Sequence, residues 1–262
     1  MSLKSSVKML IFAAGLILVT LTLLQLAKPD NLSKQVSLTT DNSIPSRIKY
    51  SSETAVPTDS AQPLVNTNVI TPDSLNVLVD KQHGLPQTYE PSDLVALRGL
   101  GITTSTAGLL MRAEAAQALA AMLETMQTQG LKLNLLSAYR SFREQLSTNT
   151  MWQNQLGSEE AAAVSAPPGY SEHQLGTTMD IGIPGNKTGF SGIYPDGKAS
   201  PEWTWLDQNA HKYGFVMSYR NNQQNLTGYR FEPWHWRYVG IELATQVRLS
   251  GNPPQYSYSP MQ

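Results

Sequence analysis

Tyr170-Ser-Glu-His-Gln-Leu-Gly-Thr-Thr-Met-Asp-Ile-Gly182 reads as a loop that tightens at Gly176 and runs into a short apolar strand over 179–183. Asp180 interrupts that strand, and a carboxylate is costly to bury there unless it meets a metal or a cation. His173 lies seven residues before Asp180, too far for one helical turn, but a glycine turn brings a loop histidine beside a strand aspartate. A second stretch, Gly228-Tyr-Arg-Phe-Glu-Pro-Trp-His-Trp-Arg-Tyr-Val-Gly240, ends in a strand over 234–239. Alternation puts Trp234, Trp236 and Tyr238 on one face, His235 and Arg237 on the other. Glu232 comes three residues before His235, with Pro233 bending the chain between them. Its carboxylate can then stand near a metal without ligating it.

Around these stretches, helices alternate with short strands. Residues 107–129 are dense in Ala, Leu, Met, Glu and Gln and stop at Gly130, which predicts a helix. Residues 131–136 read as a strand, 141–156 as a helix ended by Gly157, 203–213 as a helix, 214–218 as a strand and 241–249 as a closing helix. The connections vary too much for a regular wound sheet. The expected class is α+β: a small, mostly antiparallel sheet with helices packed on one side. The domain spans 70–250, with an extended apolar lead-in at 75–79, and 251–262 forms a short flexible tail.

The N-terminal part differs in kind. Lys4 and Lys8 lie in a cytoplasmic segment, 1–8, ahead of an uncharged apolar run over 9–27. About 20 apolar residues span a bilayer core as a helix, and the lysines orient it with the rest outside. A cleaved signal is the alternative, but the run ends Gln25-Leu26-Ala27, without a small-x-small site. Residues 28–69, rich in Ser, Thr, Asn, Asp and Pro, form a disordered stalk. The expectation is a single-pass protein of the bacterial cytoplasmic membrane, its domain outside the cytoplasm.

A net charge of −1 gives no reason to expect nucleic acid as a partner. The chain has no cysteine, so any metal must be held by histidine and carboxylate. Of four histidines, His83 precedes a Gly-Leu-Pro turn and is expected to be exposed, and His211 fits a helix face. His173, Asp180 and His235 make a two-histidine, one-carboxylate set that leaves a fourth zinc position for water, with Glu232 placed to take its proton. A lone histidine would more simply be a polar residue of a half-buried strand; four such groups on strand edges and glycine turns favour the metal. The tryptophans 203, 205, 234 and 236 read as core, with only Trp234, beside His235, also given a place in the cleft.

Ser171-x-His173-x-x-Gly176-x-x-x-Asp180, followed by Glu232-Pro-Trp-His235, resembles the zinc D-alanyl-D-alanine carboxypeptidases of the vancomycin-resistance VanY type, within the lysostaphin/D-Ala-D-Ala/Hedgehog-like metallopeptidases. The likeness runs from about Leu75 to Gly240 through Leu85-Pro-x-x-Tyr89, Ser137-Ala-Tyr-Arg140-Ser-Phe-x-x-Gln145 and Asn209-Ala-x-Lys-Tyr-Gly-Phe215. It implies that His173, Asp180 and His235 hold one zinc ion and that Glu232 is the base. Arg140 would meet the substrate's terminal carboxylate or the oxyanion, a role that suits a guanidinium fork. By the same resemblance Gln145 and Ser171 help hold the terminal D-alanine, and Tyr219 lines the pocket. Thr178, where the family usually has alanine, and Arg220 after Tyr219 are departures that bear on pocket shape.

The implied activity is zinc-dependent D,D-carboxypeptidase action on peptidoglycan stem peptides. L,D-carboxypeptidase action on tetrapeptides shares the motifs. An endopeptidase is disfavoured by Arg140, whose charge suits a free terminus, and a non-catalytic wall-binding domain by Glu232, a base it would not need.

Overall fold

The structure, a computed structural model, describes residues 71–182 and 199–261 except 101, 103 and 105. The expected cytoplasmic segment, membrane span and stalk lie outside the described residues. Among the described residues no helix is long and apolar enough to cross a membrane.

A two-stranded antiparallel ribbon pairs β1 (Leu94–Ala96) with β2 (Leu110–Arg112). The main sheet has four strands, β3 (Asn134–Ser137), β4 (Thr178–Gly182), β5 (Phe215–Met217) and β6 (His235–Tyr238), in the order β3-β4-β6-β5 with every neighbouring pair antiparallel. The helices are α1 (Ala113–Thr128), α2 (Phe142–Leu156), α3 (Ser158–Ala162), α4 (Pro201–Asn209), α5 (Gln224–Thr227) and α6 (Ile241–Ser250). The class is α+β, as expected.

Alternation along the strands gives the sheet two unlike faces. Met179 and Ile181 of β4, Phe215 and Met217 of β5, and Trp236 and Tyr238 of β6 join the Ala/Leu/Met face of α1 in the main core. The intervening Thr178, Asp180, His235 and Arg237 are equally buried but polar. Helices do not keep to one side, contrary to expectation. Val216 points away from its neighbours Phe215 and Met217 and packs with Ala244 and Val247 of α6.

Three further expectations need correction. The helix predicted over 107–129 begins only at Ala113, because Leu110–Arg112 pairs with β1, a partner that local helical periodicity cannot reveal. The helix predicted over 203–213 is α4 followed by a 3-10 turn, Ala210–Tyr213, closed by Gly214 at φ 82°. A Cβ there would lie 2.6 Å from the Tyr238 ring, so only glycine fits. The tail is not loose: it forms a 3-10 turn, Pro254–Ser257, then buries Tyr258, and Ser259 bridges Val77 of the lead-in. Tyr258 covers the Arg237 guanidinium, which composition alone does not reveal.

Candidate active site

The antiparallel register of β4 and β6 places Asp180 directly opposite His235, and that of β3 and β4 places Ser137 opposite Asp180 across a bulge. His173 arrives from a 3-10 turn, Glu172–Leu175, whose cap Ser171 accepts a hydrogen bond from the His173 amide. Gly176 closes that turn at φ 71°, in the left-handed region that suits glycine. Ser141 and Glu144 cap α2 reciprocally and fix the chain just after Arg140.

These elements bring the nine residues singled out in the sequence, including Gln145, Tyr219 and Trp234, into the wall of one pocket. His173 Nδ1 donates to the Ala138 carbonyl at 2.7 Å, which leaves Nε2 free 3.3 Å from Asp180 Oδ2. His235 Nε2 donates to Glu172 Oε2 at 3.0 Å, leaving Nδ1 free 3.4 Å from Asp180 Oδ1. One ligand atom from each of the three residues lies within 4.8 Å of the others, close enough for a single zinc ion to draw them together. Asp180 Oδ1 is buried without a well-formed hydrogen bond, as a ligand atom would be. Glu232 Oε2 lies 3.6 Å from His235 Nδ1, while its amide is tied to the Tyr219 carbonyl.

Charge in the pocket is arranged around a cation. Burial opposes ionisation of Asp180, yet His173 and then His235 hold its carboxyl well below the usual carboxylate range. Burial would lower His235, but Asp180 and Glu172 outweigh it and push the imidazole up to about 10. Burial keeps His173 below its ordinary value although Asp180 pulls the other way. Burial, with Asp180 and Glu172 adding, pushes Glu232 up to about 8 against the pull of His235. Carboxylates on both sides of His235 are what a divalent ion would answer.

Arg140 donates to Gln145 Oε1 at 2.8 Å and Ser137 Oγ at 2.9 Å, with Nη2 3.6 Å from Asp180. Among the described residues these are its side-chain partners, and a guanidinium carries five N–H donors in all. Gln145, expected to hold the terminal D-alanine, accepts from Arg140 and donates to the Ala166 carbonyl at 2.7 Å, so it also orients the arginine. The Tyr219 ring packs 4.8 Å from His235. His83 bonds Asp80 and His211 sits on its 3-10 turn, both outside this pocket.

Sequence reasoning passed over Glu172, between Ser171 and His173. It is fully buried, bonded to His235 and Ser218 and paired with Arg237 at 3.0 Å. The signal was Arg237: a guanidinium on the same strand face as His235 needs a carboxylate if that face is buried. Burial would raise Glu172, but Arg237, His235 and Ser218 hold it at about 2.

Two imidazoles and one carboxylate whose ligand atoms lie within 4.8 Å of one another, with a second carboxylate held just outside the set, define the class: a single-metal site of the kind that zinc hydrolases use. The chain belongs to the VanY family of D-alanyl-D-alanine carboxypeptidases, whose profile matches residues 108–241, about half of its length. It is 37% identical over 186 residues to the carboxypeptidase-like protein YodJ of Bacillus subtilis (strain 168), covering 68% of this chain and 64%, less than two thirds, of YodJ. Among solved structures, the LdcB LD-carboxypeptidase matches with a TM-score of 0.63 at 32% identity, over 72% of this chain and 89% of LdcB. The vancomycin-resistance D,D-pentapeptidase VanY, a variant solved with Zn(II), matches with a TM-score of 0.57 at 26% identity, over 71% of this chain and 98% of that one.

Proposed function

We propose that this chain is a zinc carboxypeptidase that removes the terminal D-alanine from peptidoglycan stem peptides. The observation that carries it is the spacing of His173 Nε2, Asp180 and His235 Nδ1, with Glu232 beside but outside the set. Zinc, when bound there, supplies Lewis acidity and lowers the pKa of a water towards about 7.

The chain's own residues do the rest. Glu232 takes the proton of the attacking water and returns it to the leaving amine, a shuttle for which its place beside but outside the His173, Asp180 and His235 set suits it. Arg140, fixed by Gln145 and Ser137, receives the free carboxylate or the developing oxyanion. Tyr219 and Trp234 shape the wall, and Ser171 holds the turn that presents His173. Removing the last residue needs a cation for the free terminus, which favours an exopeptidase over an endopeptidase. Residues 9–27 anchor the domain outside the cytoplasmic membrane and 28–69 let it reach the wall, a reading supported by the apolar run and its flanking lysines.

A second reading, L,D-carboxypeptidase action on tetrapeptide stems, is favoured by the likeness to LdcB. Mass spectrometry of pentapeptide and tetrapeptide stems, incubated with the zinc-loaded protein with and without a chelator, tests both. Chelator-sensitive loss of one D-alanine is the expected result, and the preferred peptide decides between them. No cleavage with zinc bound would overturn the enzymatic reading.

A further inference from the structure

Arg237 is fully buried two residues after His235, and the chemistry derived above makes no use of it. Nη1 meets Glu172 Oε1 at 3.0 Å, and Nη2 donates to the carbonyls of Leu75 at 2.9 Å and Val77 at 2.8 Å. The Tyr258 ring lies over the guanidinium, 4.2 Å from its centre. Glu172 in turn gives its other oxygen to His235 Nε2 at 3.0 Å and to Ser218 Oγ at 2.6 Å. The lead-in segment is itself pinned: Leu78 donates to the Ser259 carbonyl at 2.7 Å, and Ser259 donates to that of Asn76 at 2.9 Å.

A buried ion pair seldom repays its desolvation, so its worth lies in what it orients. Here one carboxylate oxygen faces the guanidinium and the other faces the imidazole. Glu172 cannot rotate to release His235 without leaving the buried Arg237 guanidinium without its carboxylate. Arg237 cannot follow it without breaking two carbonyl bonds to the lead-in. The histidine's outward nitrogen is thereby fixed through three links that end in the backbone of residues 75–77.

We propose that Glu172 and Arg237 are positioning residues that set the orientation of His235 Nδ1. The lead-in segment and the tail that clamps it then form the outer shell of the metal site. The inference rests on the zinc reading of that site. Outer-shell partners of ligating histidines typically change metal affinity about 10- to 100-fold.

The test uses the full chain, stripped of metal and titrated with zinc against a competing chelator. Visible spectra of the cobalt(II)-substituted protein are recorded in parallel, and folding is monitored by far-UV circular dichroism. Arg237→Lys keeps the cation but loses the fork, and is expected to weaken zinc binding about tenfold and shift the cobalt spectrum. Glu172→Gln leaves Arg237 unpaired and can fail to fold, so Glu172→Gln/Arg237→Met removes both charges together. The double variant is expected to fold yet bind zinc about 10- to 100-fold more weakly than the wild type. A folded double variant with wild-type zinc affinity and an unchanged cobalt spectrum overturns the proposal while leaving the zinc reading intact. A wild-type protein that binds no zinc overturns both.

Discussion

The two faces of the four-stranded sheet are made by the same strands and buried to similar depth, yet they are held together differently. On one face Met179, Ile181, Trp236 and Tyr238 pack against α1. On the other Asp180, His235, Arg237 and the nearby Glu172 are held by pairing. An apolar contact is non-directional and tolerates a neighbour of similar volume, whereas a buried charge tolerates only a partner at bonding distance. One face therefore sets stability and the other sets geometry, and substitutions should separate the two.

The largest separation is expected at Glu232. Glu232→Ala should lower turnover by about 1000-fold or more while the protein still binds one zinc and stays folded. Metal analysis beside kcat checks this, and retained turnover would remove Glu232 from the chemistry. The opposite face gives the converse. Met179→Ala deletes a fully buried side chain between Asp180 and Thr178 in sequence, and should cost about 2–5 kcal/mol in denaturant unfolding. Its folded fraction should keep near-normal kcat/KM; a collapse of catalysis would mean the faces are not separable. Next in size, Arg140→Ala should lower kcat/KM on peptides with a free C-terminus by about 100-fold, with a much smaller loss on C-terminally amidated peptides. An equal loss on both would assign Arg140 to the oxyanion and not to the carboxylate.

What the sequence disclosed follows the same division. The apolar face was legible because Trp236 and Tyr238 alternate with His235 and Arg237, a period of two that any buried strand imposes. The candidate metal-binding residues were legible because Asp180 is anomalous in an apolar strand and His173 stands before a turn glycine. Pairings distant in sequence were not. Leu110–Arg112 resembles helix until Leu94–Ala96 is placed beside it, and the tail resembles a loose end until Tyr258 is seen to cover Arg237. Glu172 escaped notice because its three partners, Ser218, His235 and Arg237, are 46 to 65 positions away.

The smallest predicted effect probes how completely the polar face must be paired. Ser218 donates to Glu172 Oε2 at 2.6 Å, alongside His235 and opposite Arg237. Ser218→Ala removes one of three partners of a buried carboxylate, and a hydrogen bond to a charged group is worth about 1.5–3 kcal/mol. Glu172 keeps the two partners that fix its direction, so zinc affinity should fall by less than tenfold while unfolding shifts by roughly that energy. Urea unfolding and zinc competition on the same preparation measure the two separately. If stability were unchanged, pairing on this face would be redundant. If zinc affinity fell as far as in the Glu172 and Arg237 variants, Ser218 would belong to the orienting chain itself, and His235 would be held by a wider network than the line from the lead-in through Arg237.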